Sequence, residues 1–153
     1  MAITLEKSHI AHSVYRFIQI IFAITVCGLY GVDLNRANKL GKYSDGKWIY
    51  AEVTASLSAV TALLYLIPFT ARIPFIFVWD LILFILWIAL FGLFGNMYIK
   101  EDAEGNGGIK RMKNAVWIDL VNALLWLISA GGMVAYWLKH RGGRSMFTGR
   151  AKV

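Results

Sequence analysis

The chain has 153 residues, of which 58% are hydrophobic and only 16% are charged, and its net charge is +7. Soluble domains carry about 45–50% apolar and about 25% charged residues, so this composition favours a membrane protein over a soluble one. The basic residues lie in connections and tails without interleaved aromatic residues, which argues against nucleic-acid binding and makes anionic lipid head groups the expected partner.

Four apolar runs dominate the chain, and each approaches the roughly 20 residues that cross a hydrocarbon core about 30 Å thick. A lipid-exposed backbone must satisfy its own hydrogen bonds, so the runs are expected to be helices. The sequence therefore predicts an all-α fold: a four-transmembrane-helix antiparallel bundle with short loops and both termini on the same side. The predicted helices cover residues 12–32, 51–69, 73–99 and 115–138.

Two tails flank this predicted transmembrane domain, which as a whole covers residues 12–138. Residues 1–11 form an N-terminal tail, and residues 139–153 form a basic C-terminal tail. The tail's positive charges are expected either to hold anionic lipid, at about 1 kcal/mol for each residue near the surface, or to remain merely solvated. They are Lys139, Arg141, Arg144, Arg150 and Lys152.

The first predicted helix carries small residues at four-residue spacing: Ala23, Cys27 and Gly31. In lipid, helices associate through close packing of small residues. The second helix has similar stripes, so helices 1 and 2 are expected to approach closely. Cys27 is the single cysteine of the chain, which excludes an intrachain disulfide and makes a small packing residue the simplest interpretation.

Both prolines of the chain, Pro68 and Pro74, lie between the second and third apolar runs. Proline ends one helix and opens the next because it lacks the backbone N–H. Helices 2 and 3 are therefore expected to form a tight antiparallel hairpin.

The third helix contains Asp80 within the apolar stretch "FIFVWDLILFILW". Asp80 lies seven residues after Ile73, about 10 Å along a helix. A lone charge at the bilayer centre costs at least about 2.5–3.5 kcal/mol. Arg16 and Gln19 lie on one face of helix 1 at the same end of the bundle. We therefore expect Asp80 to face the interior and pair with Arg16, with Gln19 adding a hydrogen bond.

A second set of polar residues lies near the loop-side ends of the helices. Glu52 and Asp119 fall within about a turn of those ends, with Asn96 and Asn122 at similar depth. Ionisable groups at such positions usually reach water. The sequence predicts an interfacial polar cluster here.

Enzyme chemistry finds little support in the sequence. His9, His12 and His140 lack metal-ligand spacing with any cysteine or acid cluster. The Gly-rich stretch "EGNGGIK" lacks the strand–helix context of a phosphate-binding loop. No catalytic, cofactor-binding or metal-binding residues are predicted.

Charge alone does not orient the chain, because each side of the predicted bundle carries eight Lys and Arg residues. The unopposed basic tail favours cytoplasmic termini.

The stretches "RFIQIIFAITVCGLYG" and "WDLILFILWIALFGLFG", with four spans and a tight helix 2–3 turn, resemble the fungal branch of the MARVEL-domain proteins over about residues 10–140. The resemblance implies a multi-pass protein of the plasma membrane or of secretory or endocytic vesicles, with cytoplasmic termini. It implies a non-enzymatic role in membrane organisation, membrane apposition or vesicle trafficking. Expected partners are lipids, including sterol-rich domains, further copies of the chain or other membrane proteins.

Two other functions stay open. A small transporter or channel subunit would use the intramembrane acids and predicts a water-filled path joining Asp80 to Asp119 or Glu52. Against such a relay, the middle of the other three helices carries no ionisable group. A membrane enzyme would need an ordered polar pocket, which the sequence does not indicate.

Overall fold

The computed structural model describes residues 2–41, 46–67 and 76–141, with side chains described from His9 to Lys139 within these ranges. The described residues form four α-helices, and the prediction of an all-α fold is confirmed for them. The helices are α1 (Ala2–Lys39), α2 (Gly46–Tyr65), α3 (Ile76–Tyr98) and α4 (Gly107–Arg141).

The four helices pack as a ring. The most extensive contacts join α3 to α4 and α1 to α2, and smaller contacts join α1 to α4 and α2 to α3. Neighbours run antiparallel: on α3 and α4, Asp80 contacts Ser129 whereas Gly95 lies level with Val116. The expected close approach of α1 and α2 is also present, since a Cβ added at Gly31 would lie 3.1 Å from an oxygen of Glu52.

Local signals define two of the helix ends. After α1, Gly41 has a positive φ of 60°, and its N–H donates to the carbonyl of Asn38. Glycine adopts this left-handed conformation at little cost and commonly closes helices. Before α4, the side chain of Asn106 accepts a hydrogen bond from the N–H of Gly108 at 2.9 Å. This is the geometry of a helix N-cap.

The first and last helices, α1 and α4, are longer than the apolar runs that predicted them. The first helix begins at Ala2, so most of the predicted N-terminal tail is helical, and α4 begins at Gly107. At 1.5 Å per residue, α1 is about 57 Å long and α4 about 53 Å. Hydropathy marks only the part of a helix that needs an apolar environment, whereas polar residues of good helix propensity extend it. The predicted proline hairpin lies outside the described residues.

Large apolar side chains cover the outside of the bundle, while charged and polar side chains lie inside it. Three of the described helices are long and apolar enough to cross a membrane, over His9–Lys39, Ile76–Tyr98 and Gly107–Lys139. This supports an integral, multi-pass membrane protein. The buried polar and charged residues are Arg16, Gln19, Thr54, Ser58, Thr61, Asp80, Asp119, Asn122 and Ser129.

Candidate functional site

The buried polar residues form two clusters at different depths. The Asp80 cluster, in the half of the bundle nearer the termini, consists of Arg16, Gln19, Tyr65, Asp80 and Ser129. The Asp119 cluster, in the half nearer the α3–α4 loop, consists of Tyr30, Asp119 and Asn122.

Asp80 lies inside the bundle with none of its surface exposed. Its Oδ1 accepts a hydrogen bond from the Tyr65 hydroxyl at 2.7 Å, and its Oδ2 accepts one from the Ser129 hydroxyl at 2.5 Å. Both carboxylate oxygens therefore have a donor. Hydrogen bonds to an ionised acceptor are the strong ones, and they offset part of the cost of burying the charge.

Arg16 is also buried, with only 2% of its surface exposed. Its Nη1 donates to Oε1 of Gln19 at 2.7 Å, and the guanidinium carbon lies 4.4 Å from the centre of the Tyr65 ring. A cation placed over an aromatic face is attracted by the ring quadrupole, more strongly when both groups are removed from water.

As predicted, Asp80 faces the interior, and Arg16 and Gln19 lie in the same buried cluster and bond to each other; the described residues show no direct hydrogen bond or ion pair between Arg16 and Asp80. Tyr65 separates the two charges: its ring lies beneath the guanidinium and its hydroxyl donates to the carboxylate. The Tyr65 side chain has an apolar ring face for the cation and a polar hydroxyl for the anion. The two charges are thus coupled through one aromatic side chain from α2.

Two donors in this half of the bundle lack an acceptor. They are Nε2 of Gln19 and Nε1 of Trp126. The ring of Trp126 lies 6.0 Å from the guanidinium carbon of Arg16 and packs edge-on against Tyr65. On the side of α1 towards α4, the Tyr15 hydroxyl donates to the carbonyl of Leu125.

In the Asp119 cluster, Asp119 has none of its surface exposed. Its Oδ2 accepts a hydrogen bond from the Tyr30 hydroxyl at 2.6 Å, and its Oδ1 has no partner. Asn122, one turn further along α4, is equally buried. Its Nδ2 donates to the carbonyl of Ile118 at 3.1 Å, and its Oδ1 also has no partner.

The predicted loop-side cluster of four residues is wrong in two respects. Asn96 is exposed on α3, away from the interior. Glu52 lies against Gly31, and neither of its oxygens bonds to Asp119. Only Asp119 and Asn122 are both fully buried on the same helix, and the expectation that Asp119 reaches water is wrong. The helical phase of α3 explains the position of Asn96: it follows the inward-facing Asp80 by sixteen residues, about 160° round a helix of 3.6 residues per turn, and so lies on the opposite face.

Tightly packed aromatic side chains occupy the interior between the two clusters. Trp87, on α3, and Trp126, on α4, have no exposed surface. The indole N–H of Trp87 donates to the hydroxyl of Ser58 at 2.8 Å, fastening α3 to α2. Counted along α3 and α4, both rings lie between the depths of Asp80 and Asp119.

Sequence reasoning missed an ion pair at the loop side, where Arg111 of α4 donates to Asp33 of α1. Beneath it, Tyr30, Trp48 and Phe94 form an aromatic group with ring centres 4.7–5.7 Å apart. Both features join residues far apart in the sequence. The signal that could have found the pair is the opposite charge of Asp33 and Arg111 on the loop side of the predicted bundle.

The remaining predicted residues lie at the edges of the described chain. Lys139 is exposed near the end of α4, and Arg141 ends that helix. Arg144, Arg150 and Lys152 lie outside the described residues. Within the described ranges, no three or more His, Cys, Asp or Glu side chains are grouped so that they could hold a metal ion.

Comparison with protein-family models, with curated proteins and with solved structures gives no match.

Proposed function

We propose that this chain is a non-enzymatic tetraspan membrane protein with cytoplasmic termini that organises membrane domains, as its resemblance to the fungal MARVEL-domain proteins implies. In this proposal α2 is the fourth span and the basic C-terminal tail contacts anionic lipid. Sorting of lipids or proteins into patches, membrane apposition or vesicle trafficking would be its cellular role.

The distribution of polarity around α2 supports a fourth span. The polar residues Thr54, Ser58 and Thr61 are buried, whereas Val53 and Val60 are more than half exposed on the outer face. The lower apolarity of α2 thus comes from side chains directed into the bundle. Its 20 residues are about 30 Å long, enough to cross the hydrocarbon core.

The Asp80 cluster is the observation that carries the choice of a scaffold over a moving transporter. Each of the four helices contributes at least one residue to it: Arg16 from α1, Tyr65 from α2, Asp80 from α3 and Ser129 from α4. Polar contacts of this kind fasten helices together in lipid, where apolar packing alone gives no hydrophobic driving force. A bundle fastened across all four helices suits a static structural role.

Topology can be tested with single cysteines in a Cys27→Ser background. Ala103→Cys and Gly41→Cys should react with an impermeant thiol reagent from one side of the membrane. Leu66→Cys and Lys139→Cys should react from the other side. Reaction of Leu66→Cys on the same side as Ala103→Cys would show that α2 does not span, and would overturn the four-span proposal.

The organising role can be tested by reconstituting the labelled protein into giant vesicles that separate into sterol-rich and sterol-poor phases, and by fluorescent tagging in cells. The proposal expects enrichment in one phase and a patchy cellular signal. A uniform distribution in both settings would contradict it. A flux of ions or small solutes in proteoliposomes, lost in the Asp80→Asn variant, would instead favour the transporter.

A further inference from the structure

We propose that Asp119 holds a proton in the folded protein at neutral pH, so that the bundle contains one neutral acid, Asp119, and one ionised acid, Asp80. The proton-binding site is the Asp119 carboxyl, with the Tyr30 hydroxyl bonded to it and Asn122 three residues further along α4. This assignment is independent of the role in membrane organisation.

The two buried acids have different surroundings. Both oxygens of Asp80 accept a hydrogen bond, and the same cluster contains the Arg16 guanidinium. Asp119 has a single donor, the Tyr30 hydroxyl on Oδ2 at 2.6 Å, and its Oδ1 has none. An ionised carboxylate is purely an acceptor, with room for about four hydrogen bonds. One neutral donor is a poor replacement for the water that solvates such a charge outside the bundle.

No basic residue among the described ones pairs with Asp119. The nearest on α4 are Arg111 and Lys113, eight and six positions earlier, about 12 and 9 Å along the helix. Arg111 donates to Asp33 and not to Asp119, and its Nε has no acceptor. A carboxylate buried in the membrane interior without a positive partner is costly, and the group avoids this cost by binding a proton.

The other helices bring neutral or acidic groups to this site. Tyr30 of α1 packs against Trp48 of α2 and Phe94 of α3, with ring centres 5.7 and 4.7 Å away. The next titratable groups in contact with these neighbours are Glu52, which lies against Gly31, and Tyr98, which stacks on Phe94. The basic residues Arg36, Lys39 and Lys47 belong to the loop ends of α1 and α2.

A proton on Asp119 also suits the acceptor next to it. Residues three apart on a helix are neighbours, with Cβ atoms about 5–6 Å apart, so Asn122 lies beside Asp119. The Nδ2 of Asn122 donates to the carbonyl of Ile118, whereas its Oδ1 has no donor. A protonated carboxyl can donate to an amide oxygen, which an ionised carboxylate cannot. One proton therefore removes the buried charge and supplies a donor.

The first test is infrared spectroscopy of the purified protein in detergent at neutral pH. A protonated carboxyl gives a C=O stretching band above the amide bands, and an ionised carboxylate does not. Labelling aspartate carboxyls with ¹³C distinguishes aspartate from glutamate, and solvated aspartates are ionised at this pH. We expect one aspartic-acid band in the wild type, lost in Asp119→Asn and kept in the matched control Asp80→Asn.

A wild-type protein without such a band would overturn the proposal, as would a band that survives in Asp119→Asn. A buried water beside an ionised Asp119 would give the first of these results. If Asp119→Asn does not fold, Tyr30→Phe and Asn122→Ala decide, because each removes one neighbour of the carboxyl. A shift of the band in either variant supports the site, whereas an unchanged band in both refutes it.

The second test is the pH dependence of the melting temperature. Aspartate in an unfolded chain ionises at about pH 4, so the folded state holds one more proton at Asp119 and its stability falls as the pH rises. Between about pH 5 and pH 8, the wild type should lose roughly 3–5 °C per pH unit relative to Asp119→Asn. Parallel curves for the two proteins would contradict the proposal.

Discussion

The Tyr65 hydroxyl donates a hydrogen bond to Asp80 at 2.7 Å. The face of the same tyrosine ring lies against Arg16, whose guanidinium carbon is 4.4 Å from the ring centre. One aromatic side chain from α2 therefore connects a cation on α1 with an anion on α3. The arrangement allows both charges to lie inside the bundle without a direct ion pair.

Removing the Tyr65 hydroxyl should weaken the bundle. In Tyr65→Phe, Asp80 keeps only the donor from Ser129. Loss of one charged hydrogen bond should lower the free energy of unfolding by about 1–2 kcal/mol. Tyr50→Phe is the control, because that hydroxyl donates to a neutral carbonyl, of Leu86. The stability lost in Tyr50→Phe should be smaller, about 0.6 kcal/mol. Thermal unfolding in detergent measures both, and equal losses would contradict the special role of Tyr65.

Arg16 and Asp80 should be energetically coupled through Tyr65. A double-mutant cycle with Arg16→Gln and Asp80→Asn should give a coupling energy on the order of 1 kcal/mol. The same cycle in a Tyr65→Phe background should give a value close to zero, because the link is cut. Unchanged coupling in that background would mean that the two charges act on each other through space.

The Trp87–Ser58 hydrogen bond gives a third prediction. Ser58→Ala leaves the buried indole N–H without an acceptor and should destabilise the protein by about 1–2 kcal/mol. Ser56→Ala, on the exposed side of the same helix, should change stability by less than about 0.5 kcal/mol. Indole fluorescence during unfolding provides the readout. Equal effects of the two alanines would show that the Ser58 contact contributes nothing.

At the loop side, the Asp33–Arg111 pair should behave as a partly exposed ion pair. Asp33→Asn or Arg111→Gln should each cost about 0.5–1 kcal/mol at low salt and less at high salt. The charge swap Asp33→Arg with Arg111→Asp should recover most of the loss. Failure of the swap together with an absence of salt dependence would indicate that packing at this position outweighs charge.

Much of the fold could be predicted because the membrane requirement is simple. Long apolar runs predict helices, and an acid such as Asp80 in the middle of one should turn inward because lipid cannot solvate it. The identity of its partners could not be predicted, since Tyr65 and Ser129 reach Asp80 only through the rotation and register of α2 and α4. Tyr65 lies near the end of α2, where a tyrosine is typical of the membrane interface, so its position in the sequence did not indicate a contact with Asp80.

The loop-side prediction failed because it considered depth and left out helical phase. Asn96 and Asn122 stood at similar predicted depth, yet only Asn122 is buried. The depth of a residue follows from counting residues along its helix, whereas the side of the helix on which it lies depends on the helical phase. In α3, Asp80 is the one phase signal, because lipid and protein interior favour the same apolar side chains elsewhere. Taking Asp80 as the inward direction would have placed Asn96 on the outer face.

The lengths of α1 and α4 have a consequence for the surface above the membrane. Both helices exceed the roughly 30 Å of hydrocarbon by more than 20 Å. On the loop side, the ion pair between Asp33 and Arg111 joins their overhanging turns. The two helix ends beside the α3–α4 loop are therefore held to each other by opposite charges as well as by packing, so they should move as one unit.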